Sequence, residues 1–443
     1  MDPGDTVRRG DLLVRDGAIA ALGPAVPAAL AGLRPDADFD AAGALVMPGF
    51  VHGHLHLCQT LFRGLAEQGD LLSWLRGRIW PLEAAHTAAS VAASARLGVC
   101  ELIAGGVTCI NDMGTVRHTE AIGETLEQSG LRAVFGKALM DQGAGVPAAL
   151  LETTRAAMDE ALALAKRFHG AAGGRLAVSL APRFILSCSD ALWREVAATA
   201  VERGLVVHTH LAESPGEARE VAEAVATTAA RYFAGCGVLG KHFVGAHGVW
   251  LDQEELGLLR SAGAALVHCP GSNLKLGSGL ADVAAWRRAG LRCGLGSDGA
   301  ACNNRLDSFH EMSLAALVSR VRGPGTPAAT PPLTARDVVA LATRDGARAL
   351  GLGEVTGSLE PGKQADIAVV DLSGPHHAPG GDGDPYTALV HAARASDVRL
   401  TMTAGRVLYR DGAWTTLDPR AARAEARAEL AGLLRRAGVA VAA

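Results

Sequence analysis

Along most of the chain, short continuous apolar runs alternate with Ala-rich segments of helical period, and few architectures accommodate that alternation. Eight runs stand out, at residues 45–56, 106–112, 132–140, 175–184, 205–213, 243–250, 265–273 and 292–299. A run without polar alternation reads as a strand buried on both faces, and amphipathic helices between such strands cover a parallel sheet. Eight such units favour a closed α/β architecture, the (β/α)8 TIM barrel, over an open doubly wound sheet. The ends depart from the pattern. Residues 11–23 read as two short strands around an Asp-Gly turn, and residues 357–372 and 398–414 read likewise. The expected organisation is a barrel over residues 47–356 and a small β-sandwich domain assembled from residues 1–46 and 357–443, with a helix over 419–437. The Pro/Gly-rich stretches 323–332 and 373–385 are short enough to be loops.

Composition removes several classes. With 42 Lys+Arg against 46 Asp+Glu, the formal charge of −4 provides no basic field for nucleic acid or an anionic membrane surface. The most apolar window, residues 91–110, carries Arg96 and Glu101, so no membrane span is expected. The start lacks the layout of a secretory signal, and the eight Cys show no CxxC spacing. A cytoplasmic protein is the expectation, with a small molecule as its partner and a homo-oligomer compatible with the chain.

The chemistry concentrates in histidine. Three His-x-His pairs occur, His52/His54, His54/His56 and His208/His210. On a strand, residues i and i+2 share a face, so His54 and His56 can aim two imidazoles at one point. His210, His247 and Asp298 fall at the ends of the fifth, sixth and eighth runs. Active sites of such barrels assemble at the C-terminal ends of strands. Core histidines that merely satisfy local hydrogen bonds would have to occupy all these positions at once. Neutral imidazoles, a carboxylate and one open position suit one catalytic divalent metal, Zn2+ first and Fe2+ as the alternative.

PGFVHGHLH (48–56), HLAES (210–214), AHG (246–248) and GSDGA (296–300) resemble the metal-site motifs of the amidohydrolase superfamily. GSLEPGKQADIAVVD is similar to the C-terminal β-domain signature of that superfamily. The resemblance extends over nearly the whole chain and is strongest to the aminohydrolase branch of guanine, 8-oxoguanine and adenosine-derivative deaminases and s-triazine hydrolases. It implies His54, His56, His210 and Asp298 as metal ligands, Glu213 as the proton-shuttling glutamate and His247 as the residue holding the hydrolytic water. His52 stands where such proteins commonly carry Asn, Gln or Asp. They also carry a strand ahead of a Met-Asp-Pro-like segment, so Met1 is read as an internal methionine. Glu213 follows His210 by three residues, so both leave one strand-end turn, and a carboxylic acid there can protonate a ring nitrogen while water attacks the adjacent carbon.

The substrate cues point two ways. Gln59 and Arg183-Phe184 resemble the residues with which guanine deaminases hold the ring. Trp74 and Glu83 resemble the ribose-binding residues of nucleoside deaminases, which usually carry His where Arg183 stands. Trp74 also suits plain core packing, and His118, beyond the second run, suits either a pocket wall or a surface turn. The expected activity is metal-dependent hydrolytic deamination of an amino-substituted N-heterocycle (guanine-like, aminopurine, nucleoside or triazine) with release of ammonia. An s-triazine chlorohydrolase or alkylaminohydrolase is the alternative, and a catalytically inactive ligand-binding barrel the alternative of another class. The GLGSDG of residues 294–299 fits GxGxxG formally, but Asp298 would repel a pyrophosphate there.

Overall fold

The computed structural model describes residues 4–67, 69–321, 331–379 and 383–439. Residues 1–3, 68, 322–330, 380–382 and 440–443 lie outside the described residues, and with them most of the first Pro/Gly-rich stretch and part of the second.

Strands β1 (Leu12–Arg15) and β2 (Ala18–Leu22) form an antiparallel hairpin. Its Asp16-Gly17 turn has φ of 51° and 78°, the double positive φ that a two-residue hairpin of matching twist requires. The run at residues 45–56 is not one strand but two, β3 (Ala44–Pro48) and β4 (Phe50–Leu55). They belong to different sheets, and the chain crosses between them at Gly49, where a Cβ would lie 2.1 Å from Thr108 Cγ2. Apolarity continues across the crossing because β4 is buried throughout and β3 at least half-buried, so hydropathy carries no mark of it.

From β4 onward the chain winds the barrel through β5 (Val107–Met113), β6 (Arg132–Gly136), β7 (Ala138–Leu139), β8 (Leu176–Pro182), β9 (Val206–Leu211), β10 (Phe243–His247), β11 (Ala265–His268) and β12 (Arg292–Leu295). All pairings are parallel, β7 extends the third barrel strand past Lys137, and β12 returns to β4 through Leu295 and His52, which closes the eight-stranded cylinder. Inside, Val51, Cys109, Val244, Val267 and Cys269 pack against Ala347 and Leu350 of the segment that plugs the barrel floor. All eight cysteines are free and buried, as small core residues.

Strands β13 (Ile367–Asp371), β14 (Val398–Thr403), β15 (Arg406–Arg410) and β16 (Ala413–Trp414) then build an antiparallel sheet of order β16-β15-β14-β13-β3. The β1–β2 hairpin lays Val14, Ile19 and Leu22 on Ile367, Val369 and Leu400, giving a two-layer sandwich from both ends of the chain. Residues 357–372 hold one strand where two were expected. The first half of that segment instead runs beside β2 through backbone hydrogen bonds such as Ile19 N to Lys363 O (2.8 Å). A buried ion pair joins the two domains: Arg132 of β6 donates to both oxygens of Asp366, at 2.7 and 3.1 Å. The terminal helix Pro419–Ala437 packs on the helix Ala88–Ala104, with Arg96 Nε 2.8 Å from Glu425 Oε2. No single helix among the described residues is long and apolar enough to cross a membrane.

Candidate active site

Most barrel strands stop short of the apolar runs that contain them, and the surplus residues form the turns at the C-terminal mouth. His54 lies on β4 and His56 one residue past its end, His210 is on β9, and His247 ends β10. Asp298 lies three residues beyond β12, in a turn with φ of +62°. His247 also has positive φ, +74°. Non-glycine residues in this region cost about 1–3 kcal/mol each and persist where surrounding structure holds them. Asp298 is held by its own amide, which donates to His54 O at 3.1 Å.

Each imidazole is oriented by its Nδ1. His56 Nδ1–H donates to Met113 O (2.8 Å) and His210 Nδ1–H to Arg183 O (2.7 Å). His247 Nδ1–H donates to Asn273 Oδ1 (2.9 Å), while His54 Nδ1 lies 2.8 Å from His208 Nε2. With the proton on Nδ1, each Nε2 presents a lone pair, and all four face one region. His54 Nε2 and His56 Nε2 are both 3.2 Å from Asp298 Oδ1, and His56 Nε2 is 3.2 Å from His210 Nε2. His54, His210, His247 and Asp298 each place a donor atom within 4.8 Å of the others. Ligand atoms at tetrahedral positions about a metal, ~2.0–2.2 Å away, are separated by about 3.3 Å. His54 Nε2 and His247 Nε2 are buried with no hydrogen-bond partner. Lone pairs gathered around a carboxylate repel one another unless a cation sits among them, and this donor set fits a divalent first-row ion.

Charge states agree with that arrangement at His54, His210 and Asp298, whereas His56, which burial alone would lower, is raised by the Asp298 carboxylate beside it. Burial keeps His54 and His210 well below the ordinary imidazole range, with neighbouring imidazoles adding to the effect. Burial alone would raise the Asp298 carboxyl, but His54 and His56 hold it well below the usual carboxylate range. Its remaining lone pairs accept from Ser272 Oγ (2.7 Å), Gly299 N (2.8 Å) and Cys302 Sγ (3.1 Å). Glu213 behaves oppositely. Burial pushes its carboxyl well above the ordinary range, and the charges of Asp298 and Glu217 push it further. It sits 3.5 Å from His247 Nε2 and accepts from Ser278 Oγ at 3.4 Å. Glu217 accepts from the Glu213 amide (2.6 Å) and caps the helix Pro215–Val225, fixing the turn that carries Glu213.

Gln59, Trp74, Arg183, Phe184 and Glu213 line a cavity beside this cluster, with Leu71 and Leu75 over it. Its free volume is about 20 Å³, far below the ~300 Å³ or more of a ligand-filled pocket. A larger concavity of about 280 Å³, at the opposite ends of β10–β12, contains neither histidine nor carboxylate. Glu83 is not on the cavity surface. Both its oxygens pair with the Arg183 guanidinium, and Oε1 also accepts from Gln59 Nε2 at 2.9 Å. The two conflicting substrate cues are therefore halves of one buried network. Trp74 donates its indole N–H to Ala66 O (3.0 Å) and offers only its ring to the cavity. His118 is exposed at the start of the helix Thr119–Ser129 and is not a cavity residue. His52 Nδ1 lies 3.2 Å from Ser308 Oγ, behind the cluster. Sequence reasoning gave no role to His208, Ser272, Asn273, Ser278, Cys302 or Glu217; only His208, in a His-x-His pair, carried a signal.

Comparison with known proteins agrees with this geometry. The chain is 36% identical over 438 residues to a 5-methylthioadenosine/S-adenosylhomocysteine deaminase of Haloarcula marismortui, covering 99% of this chain and 97% of that protein. It is 37% identical over 412 residues to a 5'-deoxyadenosine deaminase of Methanothermobacter thermautotrophicus, covering 93% and 92%. A solved adenosine deaminase from Xanthomonas campestris with bound zinc has a TM-score of 0.87 at 30% identity, covering 96% of this chain and 93% of that one. Residues 45–408 match the amidohydrolase family, and the chain belongs to that family.

Proposed function

We propose that this protein is a zinc-dependent hydrolytic deaminase of an aminopurine, as free base or nucleoside. One observation carries the reading: a cluster of Nε2 atoms, those of His54 and His210 kept unprotonated by burial, gathers around an ionised Asp298 and adjoins a carboxyl, Glu213, that burial keeps protonated. His54, His56, His210 and Asp298 would hold the cation, with His247 close enough to share it or to orient water. When bound, such an ion brings the pKa of water to about 7 and supplies a nucleophile at neutral pH.

The residues account for the remaining steps. Asp298 takes a proton from the attacking water, and His247, fixed by Asn273, orients that water toward the amino-bearing carbon. Glu213 delivers its proton to the neighbouring ring nitrogen, so charge does not accumulate on the ring. The proton taken up by Asp298 then passes to the amino group, which leaves as ammonia, while the hydroxyl derived from the water returns its remaining proton to Glu213 as the ring carbonyl forms. Ammonia departs only after protonation, whereas chloride needs no proton. Asp298, once it has taken the water's proton, meets that need.

Purine specificity is supported by the relatives, which are named for adenosine derivatives, and by the flat walls of Trp74 and Phe184. Arg183 favours a second reading, a guanine-like ring with an oxo acceptor. The test is ammonia release from adenosine, 5'-deoxyadenosine, guanine and an aminotriazine, together with chloride release from a chlorotriazine, on protein of measured metal content. Fastest turnover on an aminopurine is expected. Preferred chloride release would overturn the deaminase reading, and metal-loaded protein inert on every substrate would favour a ligand-binding barrel.

A further inference from the structure

A second set of metal-type donors lies outside the barrel, on the small sheet. Beyond the end of β13, Pro375–His377 forms a 3-10 turn, and Ala395–Asp397 forms another just ahead of β14. These strands are antiparallel neighbours with Val370 opposite Val398, so the two turns meet at one end of the pair. There His376 Nε2 and His377 Nε2 stand 2.9 and 3.3 Å from the same oxygen, Asp397 Oδ2. That oxygen also accepts the Arg394 amide at 2.8 Å. The imidazole centroids are 4.1 Å apart. The His377 and Asp397 side chains are 2% and 10% exposed, and that of His376 is 29% exposed.

A carboxylate oxygen has about two lone pairs. The Arg394 amide uses one, and two imidazole nitrogens compete for the other. If both carry protons, two N–H groups crowd a single acceptor site; if one does not, its lone pair faces the carboxylate. A cation among the three atoms removes the conflict. The observed 2.9 and 3.3 Å are also close to the roughly 3.3 Å between neighbouring ligands of a tetrahedral ion. We propose that His376, His377 and Asp397 bind a divalent first-row cation, with solvent completing its coordination on the exposed side of His376. The ion would clamp the segment after β13 to the turn before β14, a structural role independent of the barrel chemistry.

Untagged enzyme already holding its catalytic metal would be dialysed against about 100 µM Zn2+, a concentration that populates a moderate His2Asp site, and its metal counted by mass spectrometry. About one more zinc per chain is expected in the parent than in His376→Ala or Asp397→Asn, with turnover the same in all three. Zinc should raise the parent's Tm and leave the variants' unchanged. His376 is exposed, so its replacement does not threaten folding. Failure of the parent to take up the additional zinc would overturn the proposal, as would variants that still bind it.

Discussion

Replacing Glu213 by Gln should move activity and stability in opposite directions. Gln fills the same space and can still accept from Ser278 Oγ, but it cannot deliver a proton and take one back. Loss of a positioned acid–base group costs about 10²–10⁴-fold in rate, equivalent to about 2.7–5.5 kcal/mol of barrel-mouth transition-state stabilisation. Stability follows from burial. The folded-state pKa of Glu213 lies well above its ordinary value of 4.5, so the folded state binds this proton more tightly than the unfolded chain. Its contribution to stability is complete below pH 4.5 and is lost as pH rises through the folded value. Gln carries no such linkage. In metal-free protein, the Tm of the variant relative to the parent should therefore rise as pH increases above 4.5. Steady-state ammonia release on metal-loaded enzyme and calorimetry on metal-free enzyme measure the two effects. A kcat within about threefold of the parent would refute the role in proton delivery, and a Tm difference independent of pH would refute the buried-acid account.

Other expectations follow from neighbouring contacts. His208→Phe removes the partner of His54 Nδ1 and should weaken zinc affinity about 10–100-fold, measured by competition with a chelator. Arg183→Met leaves Glu83 buried with only Gln59 and should cost about 3–5 kcal/mol of unfolding free energy; the double change with Glu83→Gln should recover part of it, as denaturant titration would show. His54→Ala should abolish turnover and lower metal content. Normal metal content with wild-type rate would remove His54 from the ligand set.

The barrel and the histidine cluster were legible in the sequence because both rest on local regularities. Buried parallel strands leave unbroken apolar runs, and alternation along a strand puts His54 and His56 on one face. What could not be read depended on partners distant in the chain. Nothing in the run at residues 45–56 shows that its two halves pair with different sheets, since β4 is buried and β3 at least half-buried. Arg183 and Glu83, 100 residues apart, each resembled a different kind of substrate contact, and only the fold reveals that they neutralise one another. The apolar run reads as strand through Asn273, but the strand ends at His268, so the sequence carries no mark of the hold of Asn273 on His247. Ser278 looks like an ordinary loop residue until the fold brings it to Glu213, 65 residues away.

The pairing of β3 with β13 sets the order in which the protein can be made. β3 is finished by Pro48, but its partner begins only at Ile367. At ribosomal rates of ~5–20 residues per second, roughly 15–60 s separate the two. Through that interval Leu45, Val46 and Met47 present an open edge on the nascent chain, a template for pairing with another copy. The barrel can close in the meantime, whereas the sandwich must wait for the last part of the chain. Yield in a foreign host should thus depend on how well chaperones shield the N-terminal segment, and a chain cut after residue 356 would carry the open edge permanently.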